Sequence, residues 1–157
     1  MKYRLLLVFA SSALILSFNV SVSPSLAQSN TKCEQHQEIF AFQVPNYPIQ
    51  HQKGAILNIK VAYRLTPEAI TQNTYPDFVP IRKDIDQFLV NYPNEVDFWE
   101  IVNKKLVQVI LDKYPQMSSL SIELAVSPTP GEPFPRYSIV NTTRPQGCPL
   151  SLSNTLF

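Results

Sequence analysis

Residues 93–126 read PNEVDFWEIVNKKLVQVILDKYPQMSSLSIELAV, and the change of period inside this stretch decides the fold. Trp99, Val102, Leu106, Val109 and Ile110 recur at helical spacing, with Lys104, Lys105 and Gln108 mostly opposite them. The spacing predicts an amphipathic helix over about 95–114, roughly 30 Å long. Asn94 is its expected N-cap, with Asp97 three residues on in a capping-box-like arrangement and Glu95 near the positive end of the helix dipole. Lys113 suits the carbonyl end, and Pro115 stops the helix. Beyond the proline the period drops to two. Leu120, Ile122, Leu124 and Val126 alternate with Ser121, Glu123 and Ala125, which predicts a strand over about 120–126 with one buried face.

Working outward, the preceding segment PIRKDIDQFLVN (80–91) carries Ile81, Ile85, Phe88 and Leu89 at helical spacing, and Pro80 suits a first turn. Residues 66–79 are polar with scattered apolars and read as a loop with room for a short helix at 67–71. Before them, Leu57, Ile59, Val61, Tyr63 and Leu65 alternate with Asn58, Lys60, Ala62 and Arg64, a half-buried strand. EIFAFQV (38–44) is a further strand, expected to pair with it as a hairpin. PNYPIQHQKG (45–54), with two prolines and a closing glycine, reads as the loop between them. Past residue 126, SPTPGEPFP (127–135) is a stiff connection and YSIVNTT (137–143) a shorter strand. The expected fold is α+β in two layers: a four-stranded antiparallel sheet with two helices on one face, in the order ββααββ.

The first 27 residues stand apart. Lys2 and Arg4 precede the apolar run Leu5–Phe18, and the segment ends in Ser25-Leu26-Ala27, the order of a secretory signal peptide. The run is shorter than the roughly 20 residues that span a bilayer; a retained anchor is the alternative. Cleavage after Ala27 would leave residues 28–157 as one domain, exported to a periplasm or outside the cell, with no further membrane segment. Two of the 13 basic residues lie in 1–27, leaving 11 against 12 acidic ones. That balance offers nothing to nucleic acid or anionic lipid. Cys33 and Cys148 flank nearly all of the remainder, and in an oxidising compartment they are expected to form a disulfide. With Cys33 before the first strand and Cys148 after the last, the bridge joins either one chain across the sheet end or neighbouring subunits.

The element order, the Gly54-led second strand and the stretch FWEIVNKKLVQVILDKYP (98–115) resemble the tunnelling fold, and within it dihydroneopterin aldolase. The likeness covers about residues 38–144 and includes a proline-rich connection between the third and fourth strands. It implies oligomerisation through the sheet edges, a small heterocyclic ligand, and Glu100 as the residue that anchors its ring. A carboxylate can accept two parallel N–H bonds from an amino-pyrimidine edge; the plainer account is an exposed acid in a helical turn. Trp99 and Phe98 are candidates for a stacking wall or for core packing. The family's catalytic lysine and tyrosine fall, by spacing from Glu100, at Val126 and Pro80, which transfer no protons. Neighbouring Ser127 has no base to activate it.

No other chemistry stands out. His36 and His51 are too few for the three-histidine zinc site of related pterin synthases and read as exposed loop residues. Asp84 and Asp86 do not share a helix face. The three glycines, Gly54, Gly131 and Gly147, build no phosphate cradle. Asn141-Thr142-Thr143 is a glycosylation pattern that matters only in a host that glycosylates exported proteins. The sequence therefore points to a small exported protein that binds a ligand or partner without catalysis, with no metal or cofactor. The alternative is an enzyme of pterin or purine chemistry using Glu100 as ring anchor.

Overall fold

In β2 (Ala55–Leu65) and β3 (Met117–Val126), the alternating residues found in the sequence point into one layer: Leu57, Ile59, Val61, Leu120, Ile122 and Leu124 are all buried. The computed structural model describes Cys33 and residues 38–150. The expected signal segment, residues 1–27, lies outside them. β1 (Ile39–Ile49), β2, β3 and β4 (Arg136–Thr143) form one antiparallel sheet in sequential order. Val61 stands opposite Phe42 on one side and Ile122 on the other, and Ile122 opposite Val140. The α+β architecture is as expected.

Among the described residues three α-helices accompany the sheet: α1 (Pro67–Thr71), α2 (Phe78–Val90) and α3 (Trp99–Lys113). α1 is a single capped turn, with Thr66 Oγ1 accepting from the Ala69 N–H. α2 and α3 supply Ile81, Ile85, Leu89, Val102, Leu106 and Ile110 to the core. Helix α2 starts two residues before Pro80, because Asp77 caps it through the Val79 N–H.

Helix α3 starts later than its cap signal suggested. Asn94 Oδ1 accepts from the Val96 N–H, closing a local turn instead. Asp97 is taken up by Tyr92 and Lys105. The chain enters the helix only at Phe98, which is extended (ψ 153°) and makes no side-chain cap.

β1 also departs from expectation. It continues through Pro45 and Pro48 to Ile49, and the register shifts between Val44 and Tyr47. Asn46 adopts φ 54° there, its N–H held by Asn58 Oδ1 at 3.0 Å. This is a bulge on an edge strand, where proline is tolerated because an edge position can dispense with its donor.

The disulfide joins Cys33 to Cys148 of the same chain, with Cα atoms 5.5 Å apart. Ile39, Arg64, Ser119 and Thr143 line up across the four strands, so the start of β1 and the end of β4 share one end of the sheet. Arg64 Nη2 donates to the Cys33 carbonyl. Gly147 makes the approach to Cys148 possible: a Cβ there would stand 2.8 Å from the Ser118 carbonyl oxygen. No helix among the described residues is long and apolar enough to cross a membrane.

Candidate functional site

At the opposite end of the sheet, a groove of about 880 Å³ opens between the first turn of α3, residues 52–55, the β3–β4 connection and the start of β4. Each wall is held by local geometry. The 3-10 turn His51–Lys53 is closed by Gly54, whose φ of 96° suits only glycine and whose N–H reaches the Gln50 and His51 carbonyls. That turn is clamped to the segment entering α3 and to the helix itself. His51 Nε2 lies 2.8 Å from the Asp97 carbonyl, to which Gln52 Nε2 also donates. The His51 ring meets Trp99 edge-on, centroids 4.7 Å apart. His51 is thus buried, against the expectation of an exposed loop histidine; His36 lies outside the described residues. The far wall is a tight turn about Pro130-Gly131, closed by reciprocal bonds between Thr129 and Glu132, with Glu132 ion-paired to Arg136.

Glu100 projects from the first helical turn onto the groove wall and is exposed, beside Trp99 and Phe98. The two aromatics play different parts. Trp99 is 4 % exposed and belongs to the core, whereas Phe98 is 69 % exposed. Tyr137, at the start of β4, is a second exposed aromatic on the lining. Trp99 Nε1 and Arg136 Nε are buried donors with no partner among the described residues, and both side chains belong to the lining. Besides the ion-paired Glu132, the lining therefore offers two exposed carboxylates, Glu95 and Glu100, two buried donors without acceptors among the described residues, and two exposed aromatic side chains. Gln52, Lys53, Glu132, Arg136 and Tyr137 were not singled out by sequence. The nearest signals were Gly54 and the proline-glycine turn, which mark loops but not that the loops meet.

Val126 and Pro80 take no part in the groove. Val126 is buried opposite Leu57 and Arg136, and Pro80 lies exposed in the first turn of α2. Asp84 and Asp86 serve different partners. Asp84 accepts from Lys113 and Tyr114, and Asp86 from Tyr47. Burial pushes the Asp84 carboxyl up, but the bonds from Lys113 and Tyr114 outweigh it and hold it below the usual range. No group of three or more His, Cys, Asp or Glu side chains that could hold a metal ion occurs among the described residues.

No protein-family model matches the chain, and no curated protein matches its sequence. What fold and site define is an α+β protein with a sequentially ordered four-stranded sheet, a disulfide and a groove at one sheet end.

Proposed function

We propose that this is a small exported binding protein whose end groove takes a flat heterocyclic ligand without turning it over. The observation that carries this is Glu100, an exposed carboxylate on the wall of a groove whose volume is within the range of small-molecule sites. Its two oxygens can accept paired N–H bonds from a ring edge. Phe98 and Tyr137, both exposed on the lining, would cover the ring faces. These groups hold a ring; they do not attack one. Binding without turnover is accordingly preferred over pterin or purine catalysis. The element order shared with the tunnelling fold supports the choice of ligand class. The disulfide, together with the charged, apolar and small-residue order of residues 1–27, supports export.

Calorimetric titration with a pterin and a purine series tests the site. Binding is expected to weaken about 10- to 150-fold in Glu100→Ala, as befits loss of charge-assisted hydrogen bonds. Absence of heat with every compound, or equal affinity in the variant, overturns the reading. Export predicts a mature N-terminus at Gln28; an intact N-terminus in protein recovered from its native host overturns that part.

A further inference from the structure

The two edges of the sheet are unequal, and the hydrogen-bond parity shows how. Ladder bonds in an antiparallel pair fall on alternate residues. The Arg144 N–H donates to the Ser118 carbonyl (2.9 Å), and Ser119 stands opposite Thr143. The even-numbered residues of β4 therefore turn their peptide groups toward β3, while Tyr137, Ile139, Asn141 and Thr143 turn theirs outward. On the other side, the Ser127 N–H donates to the Ile56 carbonyl with Val126 opposite Leu57. By the same parity β2 offers Leu57, Ile59, Val61 and Tyr63 to β1, whose partners for them are Tyr47, Val44, Phe42 and Phe40. The outward positions of β1 are then Ile39, Ala41, Gln43 and, past the bulge, Pro48, which has no N–H.

β1 thus carries the devices that blunt an edge: a bulge, Pro45 within it and Pro48 beyond it. β4 carries none between Tyr137 and Thr143. Its register with β3 is unbroken, residues 137–143 hold no proline and no charged side chain, and Tyr137 and Ile139 are 61 % and 58 % exposed. We propose that β4 docks a second copy of this chain, antiparallel about a two-fold axis at Val140. Tyr137 then stands opposite the second copy's Thr143 and Ile139 opposite its Asn141, so all four outward residues of each strand find partners. A second copy fits the charge pattern. The paired segments are neutral, and the arginines brought together at their ends are already engaged, Arg136 with Glu132 and Arg144 with the Met117 and Leu111 carbonyls. Head-to-tail addition would need β1, where the bulge and Pro48 break the run of donors. The assembly therefore closes at two. The inference stands apart from the ligand reading, although Arg136 and Tyr137 belong to both groove and edge, so the second copy's Thr143 would flank the groove mouth.

Sedimentation equilibrium on the purified protein tests this over concentrations up to roughly 1 mM, the weak end of specific association. The mass is expected to rise from one chain to two and no further. Ile139→Pro deletes an outward donor without breaking a bond to β3 and should weaken the dimer at least tenfold, about 1.4 kcal/mol. Gln43→Pro, the same change on the β1 edge, should leave it intact. Should circular dichroism show Ile139→Pro unfolded, Ile139→Lys replaces it: like charges near the axis weaken the dimer, and salt restores it. A monomer throughout, assemblies beyond two, a dimer indifferent to both β4 variants, or one lost in Gln43→Pro overturns the proposal. So does a chain that dimerises only after residues 151–157 are removed, which would assign the edge to that tail.

Discussion

Asn103 on α3 and Ser138 on β4 are joined twice inside the core: Asn103 Nδ2 lies 3.0 Å from the Ser138 carbonyl oxygen and 3.2 Å from its Oγ. The same nitrogen donates to the Ile122 carbonyl at 2.9 Å. Both carbonyls belong to the β3–β4 pair, so one side chain fixes the helix against two strands at once. Asn103 is fully buried, and its Oδ1 has no partner among the described residues.

The consequence is an order of stabilities at position 103. Asn103→Ala should cost about 1–3 kcal/mol through lost bonds and an unfilled volume. Asn103→Leu fills the volume and removes the unpartnered oxygen, so it should cost less. Asn103→Asp places a carboxylate among carbonyl oxygens and should cost the most, about 3–5 kcal/mol, with partial relief on acidification. Urea unfolding of the three variants at neutral and acid pH checks the order; an aspartate as stable as the leucine would show that Asn103 does not face those carbonyls.

The disulfide spans 115 residues of sequence. In the chain-entropy model its removal costs about 4–5 kcal/mol. Cys148→Ser is expected to lower the urea midpoint strongly. Because the bridge is within one chain, gels with and without reductant should both show a single-chain band, the reduced one migrating more slowly. A two-chain band that reductant abolishes would contradict the intrachain pairing.

Burial, followed by the hydrogen bond to Asp86 and its charge, pushes the Tyr47 hydroxyl up to about 12; burial and the charge of Asp77 do the same for Tyr63. Both folded pKa values lie above the ordinary 10.0. The native state thus favours the neutral phenols. Their contribution to stability is full below pH 10 and is lost as pH climbs toward 12. Phenolate absorbance should show a late-titrating class, and the urea midpoint should fall across that window. Asp86→Asn should advance the titration of Tyr47 alone. An absorbance curve with every tyrosine ionising around pH 10 would refute this account.

Much of the fold was legible because apolar spacing is a local quantity. Leu57 to Leu65 and Leu120 to Val126 declared their buried faces without reference to anything else, and the helices did so through Ile81 and Ile85 and through Val102 and Leu106. Boundaries were less legible where side chains had competing partners. Asn94 has the right chemistry for a helix cap, but its oxygen closes a turn on Val96, and Asp97 is engaged by Tyr92 and Lys105. Pro45 and Pro48 mark a loop by composition, yet they lie in a strand because that strand is an edge.

By itself, the sequence determined the two periods, their order along the chain, and the pair of cysteines bracketing them. Each depends on neighbours within a few residues or on a count. Only the tertiary structure decided that residues 52–55, 95–96, 98–100, 129–132 and 136–137 enclose one groove, that His51 is buried against Trp99, and that Asn103 spans two strands. Those facts depend on sheet register. Gly54 and Arg136 are far apart in sequence and become neighbours only when Leu57 is set opposite Val126 and Val126 opposite Arg136. Register is the sum of many pairings acting together, and no single residue announces it.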